Sequence, residues 1–245
     1  MLKNGSTVKV IAISLLLIAC TATFANASMF ELEIVPISKL IEKPSVYDST
    51  TAYRKISVVG NLSEISKYSA TLADEDLLLK TDVTRMGLFN GFEQGEQVML
   101  TGEFKHNPIG DDVMYPNYVL RYPVQDAGQV NISEINESPA SYNGKYVTVT
   151  GNLTSIELSV GRYTAIIEET GTQESIRVFY YGATDLKPGE DIKVYGLYNG
   201  GILHSESMAK NLSPLSITSL IPGFSVITAL AGLGAVAILL SRRKR

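Results

Sequence analysis

The sequence predicts an all-β fold: two tandem five-stranded barrels, set between an N-terminal signal peptide and one C-terminal transmembrane helix. Three observations lead there. Three blocks of the middle region recur in the same order, apolar and polar residues alternate inside each copy, and both ends carry apolar runs beside basic residues.

The repeat comes first because it sets the domain count. Ile37 to Tyr47 (ISKLIEKPSVY) matches Ile132 to Tyr142 (ISEINESPASY). Next, ISVVGNLSEI at 56–65 matches VTVTGNLTSI at 147–156, and GEQVMLTGEF at 95–104 matches GEDIKVYGLY at 189–198. Such a period is far longer than a solenoid unit, so each copy is expected to be a whole domain. The chain then divides into a signal peptide at 1–27, a first domain at 28–125, a second at 126–213, a linker at 214–224, and an apolar helix with a basic tail at 225–245.

Each copy opens with a short helical turn. Ser38 and Ser133 are placed to cap it, and Pro44 and Pro139 to limit its length. In copy two, Val147, Val149, Gly151 and Leu153 alternate with Thr148, Thr150 and Asn152, the pattern of a half-buried strand. Tyr163–Glu168 and Ser175–Tyr181 follow as strands two and three, with Gly171 in their turn. Leu186-Lys187-Pro188-Gly189 interrupts the pattern before strand four, Asp191–Leu197, and a weaker strand five, Ile202–Lys210. Gly60 and Gly151 fall mid-strand, where a small barrel needs a bend or bulge. Five short strands with a connection between the third and fourth form the pattern of an OB-fold barrel.

The lead-in of each copy, continuing in copy two through Asn143-Gly144-Lys145, resembles that of OB-fold domains in the nucleic-acid-binding, tRNA-anticodon-like group. The resemblance extends over the two repeats and implies a fold more than a function. Copy one departs from it along Asp48–Lys55.

Residues 1–27 read as a secretory signal. Lys3 and Lys9 precede the apolar run Val10 to Ala19, and Ala25-Asn26-Ala27 fits a cleavage site that leaves Ser28 first. A second reading stays open: Leu17-Ile18-Ala19-Cys20 looks like a lipobox, in which Cys20 is lipidated. At the other end, Ser225 to Leu240 is apolar or small throughout, and Arg242-Arg243-Lys244-Arg245 holds that end in the cytoplasm. Pro222-Gly223-Phe224 stands just before the helix. This order resembles the PGF-CTERM sorting signal of archaeal surface proteins. The resemblance implies that Pro222, Gly223 and Phe224 are recognised by an archaeosortase-like enzyme, which replaces the helix by a membrane lipid. It departs from the family in lacking a long Thr-rich stalk, with only 211–221 before the motif. An ordinary single-pass anchor shares every feature except the tripeptide.

The chain has 21 basic and 25 acidic residues, but six of the basic ones lie in the two end segments and none of the acidic ones do. The middle therefore carries a net charge near −10, which repels phosphate backbones. Cys20, the only cysteine, sits in the signal, so no disulfide can staple the domains. His106 and His204 each lack a partner at metal-binding spacing and are expected on the surface. Asp74-Glu75-Asp76 and Asp111-Asp112 lack the surrounding loop of a calcium site and are expected to be solvated turns. No catalytic constellation is legible, so neither enzyme activity nor a cofactor is expected.

Aromatic residues offer the best ligand-binding expectation. The face of strands two and three is where OB barrels hold ligands, and rings there stack on bases or sugars. Tyr180 is the expected exposed ring, with Arg177, Tyr163 and Lys145 as supporting residues. Arg177 shares the opposite face of its strand with Phe179 and Tyr181. Asn61, Asn131, Asn136, Asn152 and Asn211 begin Asn-x-Ser/Thr sequons, glycosylation acceptors on an exported chain. The sequence thus supports a surface-anchored, non-enzymatic binding or structural module whose partners are the membrane and envelope proteins or glycans. Single-stranded nucleic acid or oligosaccharide bound to the second domain is the alternative.

Overall fold

The computed structural model describes residues 32–52, 54–83 and 87–211. The expected signal peptide, Pro222-Gly223-Phe224 and the apolar segment from Ser225 lie outside the described residues. No helix among those described is long and apolar enough to cross a membrane.

The first repeat consists of helical turns α1 (Ile37–Glu42), α2 (Pro44–Tyr47) and α3 (Ser49–Ala52), then strands β1 (Ile56–Ile65), β2 (Ser69–Asp74), β3 (Leu77–Asp82), β4 (Gln97–Lys105) and β5 (Val113–Arg121). A short strand, β6 (Asp126–Gln129), leads into the second. Then come α4 (Ile132–Glu137), α5 (Pro139–Tyr142), β7 (Lys145–Ser159), β8 (Arg162–Glu168), β9 (Ser175–Tyr180), β10 (Asp191–Asn199) and β11 (Ile202–Lys210).

Both repeats close in the same cycle. In the first, β1-β2-β3-β5-β4 is a closed barrel. In the second, β7, β8, β9, β11 and β10 pair in the equivalent order, and β10 pairs back onto β7. The third and fifth strands run parallel over a short stretch in each, at Lys80↔Val113 and at Leu203↔Val178. This five-stranded Greek-key closure is OB-like. The sequence did not anticipate β6, which adds a sixth strand parallel to β7.

The glycines and bulges explain how the ten-residue β1 and the fifteen-residue β7 bend so tightly. A Cβ on Gly151 would stand 2.4 Å from the Glu168 carbonyl, so only glycine lets β8 approach so closely there, while one on Gly60 would make a tight contact of 3.2 Å with that of Ala73. Two residues on, the register shifts, leaving Ser63 and Thr154 as the extra residue of a bulge. The hydroxyls of these residues donate to the carbonyls of Thr71 and Ile166, both at 3.1 Å. The same side-chain chemistry repairs the same gap in both copies.

Each repeat has its own core. Val58, Leu62, Leu72, Leu100 and Met114 fill the first, and Val147, Val149, Leu153, Ile167 and Val194 the second. Ile37 and Leu40 of α1, and Ile132 and Ile135 of α4, are fully buried in these cores, each worth roughly 1.5–3 kcal/mol of apolar burial. Capping differs from the expectation: Pro36 and Asn131, not Ser38 and Ser133, occupy the N-cap positions, and neither makes a side-chain cap. Pro44 and Pro139 do more than end a turn. Each sits at the first position of the next one, where its missing N–H costs nothing.

Candidate functional site

The residues expected to bind ligand separate onto different surfaces. On β9, Ile176, Val178 and Tyr180 face inward, and Tyr180 is half-buried against the second core, so it is not the exposed ring expected. Its hydroxyl points back to the Ala183 carbonyl, 3.5 Å away. Tyr163 is its direct cross-strand partner on β8 and shares that half-buried setting. Arg177 is exposed on the outer face, opposite Ile166. Lys145 begins β7 and pairs with Tyr198 of β10, with β10 and β11 separating it from β9. The structure thus brings Tyr163 and Tyr180 together, but neither Arg177 nor Lys145 joins them.

What the outer face of β9 does carry is a stacked column. Arg162 lies over the Phe179 ring at 3.7 Å, Phe179 meets His204 of β11 edge-on at 5.7 Å, and His204 meets Tyr118 of β5 at 4.7 Å. His204 is only 1 % exposed, correcting the expectation of a surface histidine. Tyr118 belongs to the first barrel, so this column is also part of the contact between the repeats.

That junction is the most elaborated polar site in the described chain. Asn143 follows α5 and is 2 % exposed, and Asn199 ends β10 with no exposed surface. The Asn143 amide donates to the carbonyls of Leu88 (2.9 Å) and Asn90 (2.8 Å) in the first barrel's β3–β4 connection. Its oxygen accepts from the Asn199 amide at 3.0 Å and from the Gly200 backbone at 2.9 Å. Asn199 also donates to Leu88 (3.1 Å), and its oxygen accepts from the Val119 backbone of β5 (3.1 Å). Arg121 completes the seam: its Nη1 donates to both Glu96 oxygens at 2.6 and 2.7 Å, while Nε and Nη2 donate to the carbonyls of Asn143 (3.1 Å) and Gly91 (2.6 Å). Its guanidinium also lies 4.6 Å from the centre of the Phe92 ring. Buried amides satisfied on both sides in this way fix one arrangement of two bodies.

Position 143 is Asp48 in the first repeat, directly after the matched Tyr47 and Tyr142. The Asp48 carboxyl sits below its usual range. The chief cause is the Thr50 hydroxyl donating to it, with further help from the Thr50 and His106 backbone N–H groups. His106 stands where Gly200 stands in the second copy, so both copies use the same oxygen-to-backbone bond. Only the asparagine also has N–H groups to give to a neighbouring barrel.

The junction opens into a cleft of about 700 Å³ walled by Asn90, Gly91, Asn136, Ala140, Tyr198 and Gly201, among others. A second cleft of similar size lies on the first barrel, between Ile41 of α1, Leu78 and Lys80 of β3, and the loop after β4. There Lys80 pairs with Asp111, and the His106 ring bonds Asp112 at 2.7 Å. Among the described residues, no group of three or more His, Cys, Asp or Glu side chains is placed to hold a metal.

The sequon asparagines divide by exposure. Asn61, Asn131 and Asn211 are exposed, whereas Asn152 is half-buried and donates to the Gly189 carbonyl at 3.1 Å. Asn136, on α4, donates to the Glu174 carboxylate and to the Ser175 carbonyl. Asn61 and Asn152 occupy equivalent registers, opposite Ala73 and Glu168 of the following strand.

Sequence periodicity could not reveal the junction, because Asn143, Asn199 and Arg121 make their contacts across domains. The one legible signal was the exchange of Asp48 for Asn143 directly after a matched block.

No family model and no curated protein matches the chain. Among solved structures, it is similar to the telomere capping protein Ten1 from Saccharomyces pombe, at 13% identity over 37% of this chain and 81% of that one, with a TM-score of 0.30. The hypothetical protein ygiW from E. coli is similar at 15% identity over 36% of this chain and 89% of its own, with a TM-score of 0.29. Asparaginyl-tRNA synthetase from Pyrococcus horikoshii is similar at 14% identity over 30% of this chain and 20% of its own, with a TM-score of 0.25. The strand order, rather than these likenesses, is what makes the two barrels OB-like.

Proposed function

We propose that the chain is a non-enzymatic binding module anchored at the outer face of a membrane, in which two OB-like barrels act as one rigid body. The observation that carries the reading is the seam of Asn143, Asn199 and Arg121, which joins the repeats through buried, bonded side chains. Domains that only space other parts of a surface protein have no need of such a joint, whereas a binding surface assembled from two domains requires it. OB barrels hold oligonucleotides or oligosaccharides. The acidic middle favours the ligand without phosphates, since phosphate neutralisation supplies most nucleic-acid affinity. Anchoring rests on the positive tail after an apolar segment and on Pro222-Gly223-Phe224.

The test has two arms. Purified full-length protein in detergent is titrated against labelled single-stranded DNA and labelled neutral oligosaccharides, at about 50 and about 200 mM salt. Binding to the saccharides, unchanged by salt, is the expected result. DNA binding that falls steeply with salt and is lost on Arg177→Ala would replace it with the nucleic-acid reading. Protease treatment of intact cells should remove both barrels, and an intact mass ending before Arg245 would identify the sorted form. Barrels protected in intact cells would overturn the surface assignment.

A further inference from the structure

The cleft at the junction lies away from the β8–β9 face, and its wall has an unusual chemistry. None of its lining residues is charged, and most are glycine or asparagine. Gly91, Gly200 and Gly201 turn there with φ of 75°, 60° and 78°, a geometry that presents bare peptide groups rather than side chains. The Asn90 side chain is exposed and makes no hydrogen bond within the described protein. Tyr198, from the other barrel, is only 5 % exposed, yet its hydroxyl also makes no hydrogen bond there. A tyrosine whose ring is buried while its hydroxyl has no protein partner leaves that hydroxyl free to bond a molecule in the cleft it lines. The volume, about 700 Å³, falls within the roughly 300–1,000 Å³ of small-ligand sites.

These groups select by what they lack as well as by what they offer. A phosphate or sulfate would find no cation in the wall, and the neighbouring Arg121 is engaged by Glu96. A metal ion would find no carboxylate. Ala140 and Pro139 are the only aliphatic side chains in the wall. Amides, peptide groups and a phenol that can each donate or accept suit a molecule dense in neutral hydroxyls. We infer that the inter-barrel cleft is a binding site for an uncharged saccharide, held between Asn90 of the first barrel and Tyr198 of the second.

This assignment rests on the binding-module reading and adds a location and a ligand class. Titration calorimetry on the full-length protein in detergent, with maltotriose, mannotriose and triacetylchitotriose as neutral probes and trigalacturonate as the charged one, tests it. At least one neutral probe should bind, and Tyr198→Phe or Asn90→Ala should each weaken it about threefold to tenfold, the worth of one neutral hydrogen bond. Neither variant removes a bond made within the protein, so melting temperatures should stay at the wild-type value. Should Tyr198→Phe fail to fold, the exposed Asn90→Ala decides alone. Binding that neither variant weakens, preference for trigalacturonate, or no binding of any neutral probe would overturn the assignment. If Arg177→Ala abolishes saccharide binding while Tyr198→Phe leaves it intact, the module still binds glycans, but not in this cleft.

Discussion

Truncating Asn143 to alanine tests whether the two repeats are one folding unit. The Asn143 side chain accepts from the Asn199 amide and the Gly200 N–H, and donates to the Leu88 and Asn90 carbonyls, all at 3.0 Å or less. Leu88 keeps a second donor in Asn199, and Asn90 is exposed, so water can reach its carbonyl. The Gly200 N–H and one N–H of Asn199 are left facing a small void. Each such group costs about 1–3 kcal/mol, and partial hydration of the void brings the sum to about 3 kcal/mol. For a unit of this size that corresponds to a fall of about 6–12 °C in melting temperature. Calorimetry of the wild type should show one transition, and the variant should show either a lowered transition or two. Asn152→Ala, which removes a single partly exposed bond to Gly189, is the control and should cost less than about 1 kcal/mol. A fall below about 1 kcal/mol for Asn143→Ala, or two separate transitions already in the wild type, would refute the reasoning.

Other outcomes follow from the same geometry. Arg121→Lys keeps a charge for Glu96 but loses the bonds to the Asn143 and Gly91 carbonyls, and should cost about 2–3 kcal/mol in urea denaturation. Gly151→Ala drives a Cβ to 2.4 Å from a backbone oxygen and should destabilise by about 1–3 kcal/mol, more than Gly60→Ala, where the nearest atoms are 3.1–3.2 Å away. Glu190 is held below its usual pKa chiefly by the Lys210 ammonium, 2.7 Å from its carboxylate. A depressed folded value means the stabilisation is present above the unfolded pKa and is lost as pH falls through the folded one. The stability difference between wild type and Glu190→Gln should therefore be present at neutral pH and close in acid, and a gap that persists in strong acid would contradict the pairing. Mass spectrometry of protein from its native host should find glycans at Asn61 or Asn211 before Asn131 and Asn152, whose amides are already committed to Glu134 and Gly189.

Much of the barrel was readable because it repeats. The later strands of copy two begin and end close to where alternation places them, although β7 runs six residues past Leu153, and the β1, β4 and β7 blocks identify themselves by matching. β2 and β5 were harder to read. Pro116 interrupts β5, and β2 is six residues with mixed burial, so neither shows clean alternation. The ligand-binding expectation fared differently for a physical reason. Alternation correctly put Tyr180 and Arg177 on opposite faces, but it cannot say which face is the lumen. The deciding fact is that Ile176 and Val178 are buried, and Tyr180 follows their parity. Phe179 is on the outer face and still buried, because Arg162 and His204 cover it. His204 in turn is buried by contact with another domain, something no single-copy pattern encodes.

The exchange of Asp48 for Asn143 gives the pair of repeats a direction. Both side chains accept from the same backbone N–H, but a carboxylate has nothing to donate, so the first repeat cannot grip anything upstream as the second grips it. A single nitrogen in place of an oxygen thus separates a leading unit from a following one. By the same logic, a third repeat appended after the second would have to carry asparagine at this position and meet a neighbour whose β3–β4 connection turns its carbonyls outward. Chains of such barrels would then grow from one end only, with their order written in a residue that neither core contains.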